Sequence, residues 1–129
     1  MNINLEHLSR IPEGMLEFPL PVERILYEAE QPVVYVTRTK QGQEMLAYVS
    51  SEEGSDQFVI VSPTSPGSVD RLERGSIGVR EALTESWMWL VRVRLGADSA
   101  DVWSVSEADI PELHLPRPGP AARPRDRRF

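Results

Sequence analysis

Three apolar, β-branched segments with very short spacers between them constrain this chain more than any other feature. They are "VVYVTRT" (33–39), "EMLAYVS" (44–50) and "FVIVS" (58–62). The spacers are the turn "KQGQ" (40–43), centred on Gly42, and the polar loop "SEEGSDQ" (51–57). A parallel strand pair needs a crossover of a dozen residues or more, so these strands must pair antiparallel. They are apolar on both faces, with Met45, Ala47 and Val49 on one and Leu46 and Tyr48 on the other. A sheet of this kind needs cover on both sides, from helices, from the chain's own ends or from a partner.

The segment after the third strand has helical punctuation. Ser65 and Pro66 suit an N-cap and a first helical position, Val69 and Leu72 give an apolar stripe, and Gly75 sits where a C-cap glycine belongs. Ser76 suits a second cap, and Val79, Ala82 and Leu83 carry a second short helix to about Glu85. "WMWLVRVRL" (87–95) then alternates as a strand, and "VWSVS" (102–106) follows a short loop as its hairpin partner. The expected fold is α+β: an antiparallel sheet of about five strands, with two short helices inserted between strands 3 and 4. "VERILYEAE" (22–30) fits a helix or a strand about equally, being helix-spaced yet bracketed by Pro21 and Pro32. The N-terminal stretch allows a helical turn near Leu5–Ser9 and a short strand near Met15–Phe18. Residues 1–116 read as one domain. Residues 117–129, rich in Pro and Arg and without apolar periodicity, read as a disordered tail.

Charge narrows the function. From Pro116 onward the chain has five arginines against Asp126, a net of +4, while the body has 9 basic and 19 acidic residues, a net of -10. Phosphate contacts need clustered Lys and Arg, so the acidic body argues against nucleic acid. The N-terminus lacks the pattern of a signal peptide, and no apolar run reaches membrane-spanning length, so a cytoplasmic protein off the membrane is expected. With no cysteine, thiol chemistry and Cys-based metal sites are excluded. His7 and His114 share no metal-ligand spacing. Gly75-Ser76-Ile77-Gly78 is too short for a phosphate-cradling loop and lacks its lysine, and it reads as the joint between the helices. Glu52-Glu53 and Asp98/Asp101 fall in loops, where carboxylates solvate turns; Asp98, Ser99 and Asp101 lack the regular spacing of a calcium loop. The expectation is no catalytic residue, no cofactor and no bound metal.

Trp87, Trp89 and Trp103 carry the remaining signal. The first two share a strand face and the third comes from the neighbouring strand, with Arg92 and Arg94 on the opposite face. Three tryptophans suit an aromatic core, but Trp beside Arg is also the enriched pairing of binding hot spots. These five residues are the candidate interface. The order of "ILYEAEQPVVYVT", "MLAYVS", "VSPTSPGSVDRLERGSIGVREAL" and "IPELHLP" resembles a family of small bacterial domains of unknown function, the 6575 type. That resemblance implies a bacterial origin and this order of elements, and brings no activity or site residue with it. The function expected is a non-catalytic interaction domain with an accessory, immunity-type or antitoxin-like role. It would bind a protein partner or itself, most simply as a homodimer. The alternative is a small-ligand sensor or enzyme with a pocket between sheet and helices.

Overall fold

The computed structural model describes residues 3–12, 14–96 and 100–119. Its centre is one antiparallel sheet. The strands are β1 (Ser9–Arg10), β2 (Arg24–Ala29), β3 (Gln31–Arg38), β4 (Glu44–Glu53), β5 (Asp56–Pro63), β6 (Met88–Arg94) and β7 (Ala100–Val105). Their spatial order is β1-β7-β6-β5-β4-β3-β2. Helices α1 (Ser68–Glu73) and α2 (Val79–Thr84) fall between β5 and β6.

The expected five strands, with helices after the third, are therefore corrected to seven strands with helices after the fifth. Two strands account for the difference. β2 occupies the segment that fitted helix or strand alike. Its pairing with β3 slips between Ile25 and Tyr27 and again before Glu28, and such a bulge breaks strict alternation. Leu26 and Tyr27, neighbours in sequence, both pack on the same core cluster. β1 is two residues long, and it exists because Ser9 and Arg10 pair with Ser104 and Trp103. The expected strand near Met15–Phe18 reduces to a single bridge between Leu16 and Thr39. At the other end, the helical turn near Leu5 is a 3₁₀ turn, Leu5–His7.

Glycines set the helix limits. α1 begins three residues after the expected cap, because Gly67, at φ 78°, holds the chain in a left-handed turn just ahead of it. At its other end Gly75, at φ 73°, donates to the Leu72 carbonyl while Ser76 N–H reaches back to Arg71. That is a Schellman closure. α2 then starts from Gly78, so Ser76 completes the first helix instead of capping the second.

Pleating divides the core in two. Val34, Tyr48, Ile60, Leu90 and Trp103 lie opposite one another across five strands. They form one apolar cluster with Leu72, Val79, Ala82 and Leu83 of the helices and with Ile110 and Leu115 of the C-terminal segment. The alternate residues Tyr35, Ala47, Val61 and Trp89 form the opposite face, covered by Ile11, Met15, Leu16, Phe18 and Leu20. Both faces are thus covered by the chain itself, one by helices and C-terminal segment, the other by the N-terminal segment. No partner is needed to cover either face of the sheet. Fully burying one such side chain contributes about 1.5–3 kcal/mol, so these terminal segments are part of the core.

Candidate functional site

The groove that best combines shape with charge lies where β2 and β3 meet the start of α1. It encloses about 520 Å³, and Glu23, Arg24, Val36, Arg38, Glu44, the 64–67 turn, Val69 and Asp70 form its walls. Local structure places each group. Arg24 and Val36 are register partners, as are Arg38 and Glu44, so alternation turns all four toward the helical face. The left-handed turn at Gly67 then leads into α1, whose Val69 and Asp70 complete the wall.

Electrostatically the groove is uneven. Arg38 lies 2.6 Å from Glu23 and 3.7 Å from Glu44 and donates to the Gly42 carbonyl at 2.9 Å. Thr64 donates to Glu44 at 2.7 Å. Arg24 is paired with Glu73. Both guanidinium groups are therefore already engaged. Asp70, exposed in the first turn of α1, has no ion-pair partner among the described residues. Along the outer strand Glu28 and Glu30 are exposed too, and Val22 and Ile25 keep 48% and 45% of their surface in solvent. The sheet edge thus carries Val22 and Ile25 together with Glu28 and Glu30, which have no ion-pair partner among the described residues.

The residues expected to form an interface do not form one surface. Trp87 and Trp89 stack at 4.8 Å, but only Trp87 is exposed, at 42%. Trp103 pairs with Leu90 and so points to the helical face, away from Trp89. It is 4% exposed, and the guanidinium groups of Arg10 and Arg92 lie 5.8 and 5.2 Å from its ring centre. Both arginines also engage Asp101, and the hydrogen bond from Arg92, 2.5 Å long, does most to hold that carboxyl below the usual aspartate range. Arg94 pairs with Asp56 at 3.2 Å. Trp103 lies apart from the other two because strand pairing, absent from the local pattern, decides which face a tryptophan joins.

A second engaged cluster lies on α2. Arg80, its side chain 14% exposed, donates to Glu107 at 2.7 Å and to Glu112. These bonds raise the Arg80 pKa and lower that of Glu112. Arg80 therefore ties down the C-terminal segment and does not line the groove. A second open pocket, of about 490 Å³, lies beside the N-terminal segment, lined by Ile11, Met15, Phe18 and Val102 together with Arg10 and Lys40.

Among the described residues no three His, Asp or Glu side chains are arranged to hold a metal ion. Asp101 of the candidate calcium loop is committed to arginines, while Asp98 and Ser99 lie outside the described residues. His7 lies beside Asn4, and the His114 backbone carbonyl accepts from Ser50 at 2.5 Å. No helix among the described residues is long and apolar enough to cross a membrane.

The chain matches no family model, no curated protein and no solved structure. Sequence reasoning missed the groove because its parts come from four separate segments between Glu23 and Asp70. The one available signal was the excess of acidic over basic residues from Glu23 to Asp56.

Proposed function

We propose that the protein is a non-catalytic bacterial interaction domain, cytoplasmic, that binds a basic protein partner along β2 and the adjoining groove. One observation carries this reading. The free edge exposes Val22 and Ile25 along with Glu28 and Glu30, and Asp70 lines the groove on the helical side of that edge, while the groove's arginines are already paired. Apolar anchors within a rim of one charge sign suit a partner of the opposite sign. A second copy is the poorer fit, because a two-fold contact sets the same carboxylates against each other. Strand addition is also disfavoured, since bulges and edge charges are devices that block it, and β2 has both. The partner is therefore held mainly by side chains.

The small-ligand reading draws on the groove's volume, which falls within the range of small-molecule sites. Its open, charged walls suit that class less well than an interface does. The test compares wild type with the double reversal Glu28→Lys and Asp70→Lys. A basic protein captured from the host by the wild type should be lost from the variant, with circular dichroism unchanged. Calorimetry on the purified pair should show binding that weakens with salt. Equal binding by wild type and variant would overturn the proposal.

A further inference from the structure

The groove has a candidate occupant within the chain itself. Gly119 is held at the joint between α1 and α2, its N–H donating to the Glu81 carboxylate at 3.0 and 3.1 Å. It lies directly against Gly78, leaving no room there for a Cβ. The ten residues that follow, "PAARPRDRRF", contain Arg123, Arg125, Arg127 and Arg128 against Asp126. Helix α1 has six residues and so spans about 9 Å. The groove is built at its start, and Gly119 is fixed at the N-terminal end of α2, the next helix along the chain. Ten extended residues reach about 33 Å, more than the eight residues from Asp70 to Gly78 can span, so the tail can reach Asp70, which has no ion-pair partner among the described residues.

We infer that this arginine-rich C-terminal segment binds the groove at Asp70 in cis and competes with the basic partner for it. The inference rests on the reading of the groove as a site for basic chemistry. A cationic segment and a carboxylate on one chain meet at an effective concentration on the order of millimolar. Contacts too weak to hold a separate peptide are then enough to occupy the groove part of the time. The tail acts as a threshold: a partner must bring more positive charge, or better apolar anchors, than the tail does. Because the contact is between exposed charges, salt releases it.

The test uses the full chain and a fluorescent hexa-arginine peptide. The comparison is between wild type and a variant with all four tail arginines, Arg123, Arg125, Arg127 and Arg128, changed to Gln. At about 20 mM salt the variant should bind the peptide about tenfold more tightly, and the difference should vanish near about 0.5 M. Adding Asp70→Lys to the variant should abolish that gain, while Glu6→Lys, on the N-terminal turn, should leave it. In NMR spectra without peptide, the amide signals of Ser65 and Gly67 to Asp70 should differ between wild type and the Gln variant at low salt and coincide at high salt. Unshifted amides, with any affinity difference, would reduce the effect to general charge repulsion and overturn the cis contact. Equal peptide binding by both chains overturns the cis contact but leaves a basic-partner site intact. Binding by neither chain overturns both readings.

Discussion

Replacing Ile110 with Ala tests what holds the C-terminal segment over the sheet. Two kinds of contact compete for that role. Arg80 reaches Glu107 and Glu112, whose side chains are 46% and 71% exposed. Ile110 and Leu115 are each 4% exposed within the helical-face core. Exposed ion pairs contribute about 0–1 kcal/mol each. Truncating a buried Ile to Ala costs about 2–5 kcal/mol, depending on how far the site collapses. A segment near the chain end can relax, so Ile110→Ala is expected at the low end, about 2–3 kcal/mol. In a domain of this size that lowers the melting temperature by roughly 6–15 °C. Arg80→Met keeps the aliphatic stem while removing the charge, and is expected to cost less than half as much, and less still at high salt. Equilibrium urea unfolding at low and high salt measures both, and an unchanged slope confirms that stability alone has moved. If Arg80→Met proved as costly as Ile110→Ala at both salts, the ionic clamp would be the principal anchor and the ranking by burial would be refuted.

Three further outcomes are expected. Asp101 has a folded pKa below its free value of 3.8, chiefly through the hydrogen bond from Arg92. Its stabilisation is therefore complete above that value and is lost as pH falls through the lowered one, so Asp101→Asn should flatten the acid limb of a stability–pH curve. Burial pushes the Tyr35 phenol up from 10.0 to about 12. Its contribution is full below pH 10 and lost as pH rises through about 12; phenolate absorbance should show Tyr35→Phe removing the last-titrating tyrosine of the folded protein. Trp87 is 42% exposed, against 9% for Trp89 and 4% for Trp103. Acrylamide should therefore quench mainly Trp87, and Trp87→Phe should remove most of the quenchable fluorescence.

Local sequence determined the elements whose cause is local. The hairpins from residue 33 to 62 were legible because β-branched runs and spacers of a few residues allow only antiparallel neighbours. Gly75 was legible as a helix terminator because its left-handed φ closes α1 by hydrogen bonds within six residues. So was the need for cover on both faces, which follows from apolar residues at consecutive strand positions.

Tertiary structure decided everything that depends on which segments meet. β1 has no signal in two residues and exists through its pairing with β7. β2 fitted helix and strand alike, and the pairing with β3, slips included, decided for a strand. Which segment covers which face could not be read locally, since the N-terminal residues from Ile11 to Leu20 and the C-terminal Ile110 and Leu115 are equally apolar. The groove was hidden for the same reason. Glu23 and Asp70 lie at opposite ends of a stretch that runs out along the sheet and returns through β5 and the Gly67 turn. Propensity and periodicity act over a few residues and fix what an element is. Packing acts between residues distant in the chain, and it alone fixes what the element stands beside.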